Sequence, residues 1–337
     1  MEKIRKATRQ SYGEALRDLG YSHESIVVMD ADLSGATMTR LFRDEFPERF
    51  VNFGIAEGNM VSAAAGCSTM GFVPFVSTFA MFAAGRAFEQ IRNSVAYPKL
   101  NVKIAATHAG ISVGEDGATH QCIEDMALMR SIPGMVVLSP ADETETKAAI
   151  RAAADYYGPV YIRLGRLAVD PIYDDDSYEF EIGKGHTLRK GKDVALIATG
   201  LEVGEALKAA ELLHGRGIEA EVIDISTIKP LDKEIILKAA HKCRRLVTVE
   251  EGTVIGGLGA AVCELVSEIS PVPVLRIGVE DRFGESGKGD ALIEKFGLDA
   301  DSVTGKTETF IKRDRQARPA APLHEIQPLL LPNKYSK

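Results

Sequence analysis

Tryptophan is absent from this 337-residue chain and cysteine is scarce. The four cysteines, Cys67, Cys122, Cys243 and Cys263, lie far apart and form no CxxC pair. That spacing indicates neither a zinc site nor a disulfide framework, and it leads us to expect a reducing, cytoplasmic setting. No apolar run approaches the ~18 residues needed to span a bilayer, and the opening MEKIRKATRQSYGEAL has no apolar signal-peptide core. A basic run is also missing and the net charge is -8, so nucleic acid is not expected as a partner. Phosphorylated small molecules remain compatible, because they need only local positive groups. What is present is ordinary for a folded soluble chain: 45% apolar and 26% charged residues, at a length that suggests two domains.

Short apolar runs alternate with amphipathic stretches along most of the chain, the pattern of βα units on a parallel sheet. The spacing predicts a strand at Ser25–Asp30, a helix at Glu57–Met70, a strand at Val73–Val76, a helix at Ala80–Ser94 and a strand at Lys103–Thr107. The fold class expected is therefore α/β, with two doubly wound, mainly parallel units. The first covers residues 1–165, a linker with an edge hairpin covers 166–192, and a smaller unit covers 193–305. Residues 306–337, charged and then rich in proline, are expected to form an extended or disordered tail.

One stretch concentrates chemistry. Thr107 to Gln121, THAGISVGEDGATHQ, holds His108, His120, Glu115, Asp116 and three glycines directly after an apolar run. Ligands of open α/β sheets sit outside the carboxyl ends of the strands, which gives this loop, Asp30–Thr37 and Gly54–Asn59 a common address. Taken singly, each candidate has a bland alternative. Glu57 is also what a helix dipole favours in a first turn, Phe79 and Phe82 are also ordinary core aromatics, and Arg163 at a strand end suits a carboxylate as well as a phosphate.

Together, GIAEGNM, STFAMF, THAGISVGEDGATHQ and RSIPGMVVLSPAD, in that order, closely resemble the pyrimidine-binding and C-terminal domains of transketolases, over about Thr8 to Val303. The resemblance implies thiamine diphosphate as cofactor. Glu57 then matches the glutamate that shares a proton with the pyrimidine N1′, Phe79 and Phe82 the aromatics that stack on the ring, and Asp32 a cofactor-side aspartate. His108, Asp116 and His120 match groups that bind sugar hydroxyls and assist proton transfer, with Glu57, His108 and His120 as the catalytic set. Arg9 and Arg163 match the arginines that hold a sugar phosphate. The pattern departs from the family at Ala56 and Gly58 beside Glu57, at Ala36 or Thr37 where a phosphate-binding serine is usual, and near Gly85 where a third aromatic is usual.

The family anchors the cofactor diphosphate through Mg²⁺ on a domain with a GDG motif, and this chain has no GDG. The resemblance thus implies the C-terminal subunit of a split transketolase, with the metal ligands on a separate diphosphate-binding subunit. Two copies of each chain are expected, self-associating through the C-terminal domain. The reaction implied is transfer of a two-carbon ketol unit from a ketose phosphate to an aldose phosphate. A β subunit of a 2-oxo acid dehydrogenase, a relative of deoxyxylulose phosphate synthase and a non-catalytic scaffold are the competing readings.

Overall fold

Seven strands form the larger sheet of the computed structural model, which describes residues 4–174 and 178–317. In spatial order they are Thr227–Lys229, Val136–Leu138, Val160–Arg163, Lys103–Thr107, Val73–Phe79, Ile26–Asp30 and Phe50–Asn52. All neighbours are parallel except the first pair. Parallel strands covered on both faces read as continuous apolar runs, and every residue of Lys103–Thr107 and Val160–Arg163 is buried. The second sheet has five strands, in the order Val274–Val279, Leu246–Thr253, Val194–Ala198, Ala220–Asp224 and His186–Arg189, with only the last pair antiparallel.

The units interlock. Thr227–Lys229 belongs by sequence to the second unit but pairs with Val136–Leu138 at the edge of the first sheet. One cluster of buried side chains also runs from Met60, Ile104 and Met126 to Ile197, Ile223 and Val262, so a continuous core joins the two sheets.

Three expectations are corrected here. The described residues of 166–192 hold no hairpin: Ala168–Val169 pairs with Lys6–Ala7, whereas His186–Arg189 joins the second sheet. The expected tail is helical at its start, because Ala300–Ala317 is one helix. Its buried Val303, Thr304, Thr307 and Ile311 recur at helical spacing and pack on the helix Glu202–His214. The remaining tail, 318–337, and residues 175–177 within the linker lie outside the described residues. Finally, Ala80–Ser94 is no regular helix, since Phe82–Arg86 and Ile91–Ala96 wind as π-helix. No helix of the described residues is long and apolar enough to cross a membrane.

Register sets the site. Asp30 lies beside Ser77, Phe79 beside Thr107, and Ala106 beside Arg163, so the loops after these strands open on one edge of the sheet.

Candidate active site

Four side chains proposed from sequence meet at that edge. Phe79, at the end of its strand, stacks on the His108 ring with centroids 3.9 Å apart, and it lies 5.8 Å from Phe82 at an interplanar angle of 16°. His120 stands edge-on to both, 5.3 Å from Phe82 and 6.3 Å from Phe79. Aromatic rings in these arrangements attract one another beyond simple burial, so they hold a rigid shelf.

Glu57 opens the helix Glu57–Thr69 and is 3% exposed. A buried carboxylate needs a partner, and Arg86 supplies it, donating from Nη1 to both carboxylate oxygens at 3.0 and 3.2 Å. The Arg86 guanidinium also lies 4.2 Å over the Phe82 ring. Sequence reading missed Arg86. The signal was its place four residues after Phe82, obscured because π-helical winding, which recurs at functional sites, departs from the expected α-helical spacing.

His108 has a positive φ of 56° and is 4% exposed, with Nδ1 2.9 Å from the Thr107 hydroxyl. Burial, reinforced by the charges of Arg9, Arg166 and His120, pushes its pKa down to about 3. His108 is therefore neutral near pH 7 and acts as a hydrogen-bonding imidazole. Between its ordinary value of 6.5 and about 3, the unfolded chain binds a proton that the folded chain refuses. Stability must then rise with pH across that window, by at most ~1.4 kcal/mol per pH unit, and fall as acid is added. His108→Gln should flatten this part of the profile, which urea unfolding at pH 4, 5 and 6 would show.

The remaining candidates divide. Arg9, in the first turn of the helix Thr8–Ser22, donates to Ala36 O at 2.6 Å and keeps a buried Nε without a partner. Burial and then the charge of Arg166 lower its pKa. Arg166 was missed in the sequence; it donates to Val113 O and pairs with Glu115 at 3.0 Å. Arg9, Arg166 and His108 thus share one electropositive corner. Asp116 is exposed at the loop tip, and Asp32 is exposed with φ 65° and a 3.1 Å bond from Asn52. The loop carrying Asp32 is anchored by the buried Asp30, which accepts from Leu33 N, Thr37 and Thr39.

Arg163 does not join the cluster. It is 6% exposed, donates from Nε to both Asp125 oxygens at 3.1 and 3.0 Å, and donates from Nη2 to Glu251 O at 2.6 Å. Burial disfavours its charge, but Asp125 and Glu251 outweigh that and hold its pKa above the ordinary value. Its physical role is to tie the two units together.

The edge fits the pyrimidine half of thiamine diphosphate. It offers a buried carboxylate in a first helical turn, a two-phenylalanine shelf, and a pair of histidines across it. Among the described residues there is no group of three or more His, Cys, Asp or Glu side chains able to hold a metal ion.

These features define an α/β protein of two parallel-sheet units with an aromatic and histidine-lined site at the strand ends. Residues 5–171 match the model of the transketolase pyrimidine binding domain and residues 183–303 that of the transketolase C-terminal domain. The chain belongs to the transketolase family. It is 52% identical over 313 residues to a transketolase C-terminal section of Methanocaldococcus jannaschii, covering 92% of this chain and 98% of that protein. It is 44% identical to the 6-deoxy-6-sulfo-D-fructose transketolase subunit SqwH of Clostridium sp. (strain MSTE9), covering 90% and 94%. Against human transketolase the identity is 40%, over 91% of this chain but 49% of that protein, so the chain spans about half of that protein's length. A split-gene transketolase solved as an inactive β4 tetramer superposes with a TM-score of 0.84 at 50% identity, covering 92% and 99%. The family depends on thiamine diphosphate.

Proposed function

We propose that this chain is the substrate- and pyrimidine-binding subunit of a split transketolase, transferring a two-carbon ketol unit between sugar phosphates once a second chain supplies the diphosphate site. The observation that carries this reading is the Glu57, Phe79, Phe82, His108 and His120 cluster at one edge of the sheet. Bound thiamine diphosphate supplies a carbon nucleophile able to accept the ketol unit. Glu57 shares a proton with the pyrimidine N1′. Phe79 and Phe82 hold the ring flat. Arg86 pairs with Glu57 in the chain alone; half of its side chain is exposed, so it is free to release one carboxyl oxygen when the ring arrives.

Neutral His108 and its neighbour His120 hydrogen-bond sugar hydroxyls and relay their protons, with Asp116 at the rim. Arg9 and Arg166 together take the sugar phosphate, a dianion that suits two guanidinium groups. Arg166→Ala is expected to raise KM for a phosphorylated donor by about 10- to 100-fold, equivalent to losing one charge-assisted contact of roughly 1.5–3 kcal/mol. KM for a non-phosphorylated ketose should stay within about twofold, and initial-rate kinetics with both donors decide it.

Assembly is tested by calorimetry and native mass. Alone, the chain should bind thiamine diphosphate with Mg²⁺ weakly. Mixed with a GDG-containing chain, it should form a complex of two copies of each and bind the cofactor tightly. Tight binding by this chain alone would refute the proposed division of labour.

A further inference from the structure

The Thr107–Gln121 loop does not stand free on its own unit. Its turn Ile111–Val113 rests on the second unit, where the buried Glu251 carboxylate accepts from Ser112 N–H at 2.6 Å, across 139 residues of sequence. Glu251 is the sixth residue of the strand Leu246–Thr253 and is 2% exposed. Its own carbonyl accepts from Arg163, which is held by Asp125 within the first unit, so a second hydrogen bond between the units ends on the same residue. The fit leaves no room. Gly110 has φ +81°, and a Cβ there would lie 2.3 Å from the Glu251 carboxyl carbon. A Cβ on Gly117 would lie 2.5 Å from the Ser286 hydroxyl. The far end of the loop is tied in as well, by Gln121 Nε2 donating to Ile111 O at 3.0 Å and Glu285 O at 2.9 Å.

A glycine-rich loop released from such contacts samples many conformations, because glycine loses the most conformational freedom on ordering. The imidazoles at its two ends would then lose their fixed separation. Small displacements of groups that orient a substrate are felt strongly in the rate.

We propose that Glu251 is a positioning residue for sugar binding: its carboxylate, from the C-terminal unit, fixes the substrate loop in the geometry that aims His108 and His120. The second unit thereby has a part in substrate recognition, which dimerisation alone would not require. The proposal rests on the ketol-transfer reading of the site. Two neighbouring features agree with a dedicated contact. Burial raises the Glu251 pKa while Arg163 opposes that rise. Glu202 has both carboxyl oxygens buried without a partner, and burial and then the charge of Glu251 raise its pKa, so Glu251 lies in a strongly desolvated carboxyl pair.

The test uses the reconstituted pair with thiamine diphosphate and Mg²⁺. Glu251→Ala removes the acceptor of Ser112 N–H and is expected to raise KM for the ketose phosphate about tenfold or more. The cofactor dissociation constant should stay within about twofold, since Glu57, Phe79 and Phe82 are untouched. Glu251→Gln keeps a carbonyl acceptor and should bring KM back to within about threefold of the parent. Amide hydrogen exchange in residues 108–121 should accelerate in Glu251→Ala and return in Glu251→Gln. Unchanged KM and exchange in Glu251→Ala overturn the proposal. So does a common fall of cofactor affinity, turnover and Tm with no rise in KM, the mark of a packing residue. Should Glu251→Ala fail to fold, Gly110→Ala attacks the same contact from the loop side and must show the same KM and exchange signature. If the parent pair transfers no ketol unit, the transketolase reading fails, and loop exchange in the two Glu251 variants still decides whether this carboxylate holds the loop.

Discussion

Glu57→Gln is expected to lower turnover of the reconstituted enzyme by about three orders of magnitude, within the range typical of a lost acid–base group. Glutamine keeps the size and one carbonyl acceptor of glutamate, so the helix start and the neighbouring Phe79 and Phe82 should persist. What it lacks is an exchangeable carboxyl proton. The environment sharpens the effect: Glu57 is 3% exposed and is paired with Arg86, so it is shielded from bulk water. Cofactor affinity should weaken less than turnover, because ring stacking and the diphosphate contacts remain. Loss of the Arg86 contact is a second consequence, visible as faster side-chain motion of Arg86. A Glu57→Gln enzyme that keeps more than about a tenth of parental turnover would remove Glu57 from the catalytic set.

Arg163→Met should destabilise the chain by about 3–5 kcal/mol, the range for breaking a buried ion pair by removing one partner. Methionine fills most of the space but leaves Asp125, fully buried, facing only the Tyr161 hydroxyl at 2.9 Å. The Glu251 carbonyl loses its donor too. Removing both charges with Arg163→Met and Asp125→Leu together should restore part of the loss, because an apolar pair of similar volume replaces an ion pair with little penalty. Urea unfolding of the single and double variants measures this coupling. The contrast with Arg166→Ala is diagnostic: a change at 163 should act on stability, and one at 166 on KM for phosphorylated sugars. Equal KM effects at both positions would return Arg163 to the phosphate site.

These two arginines show where sequence alone runs out. In YIRLGR both stand near a strand end, and composition cannot say which one turns toward the ligand. Alternation along the strand places Tyr161 and Arg163 on one face, and that face meets Asp125 and the second unit. Only the tertiary arrangement makes that face internal. Glu57, Phe79, Phe82, His108 and His120 were named from the transketolase-like motifs, and the structure gathers them at the strand ends, where a parallel sheet collects ligand-binding groups. Arg86 was hidden by π-helical winding that the apolar spacing of Ala80–Ser94 does not announce. The helix Ala300–Ala317 was hidden by its charges, since the apolar stripe at Val303 and Ile311 is completed by the less conspicuous Thr304 and Thr307. Thr227–Lys229 was missed because three residues before a proline carry no strand signal of their own, and its partner lies about ninety residues away in the other unit.

Chain architecture also bears on assembly. Ile55, beside the candidate cofactor carboxylate, is 75% exposed, and Phe283, next to the segment that holds the substrate loop, is 82% exposed. Both would lose exposed apolar surface if a second chain covered them.

The most direct measurement is a coupled assay on this chain mixed with a GDG-containing chain, thiamine diphosphate and Mg²⁺. A ketose phosphate serves as donor and an aldose phosphate as acceptor. Two-carbon transfer that needs both chains and disappears with Glu57→Gln is the predicted result. Decarboxylation of pyruvate with lipoamide as acceptor, in place of ketol transfer, would contradict it, as would transfer indifferent to Glu57.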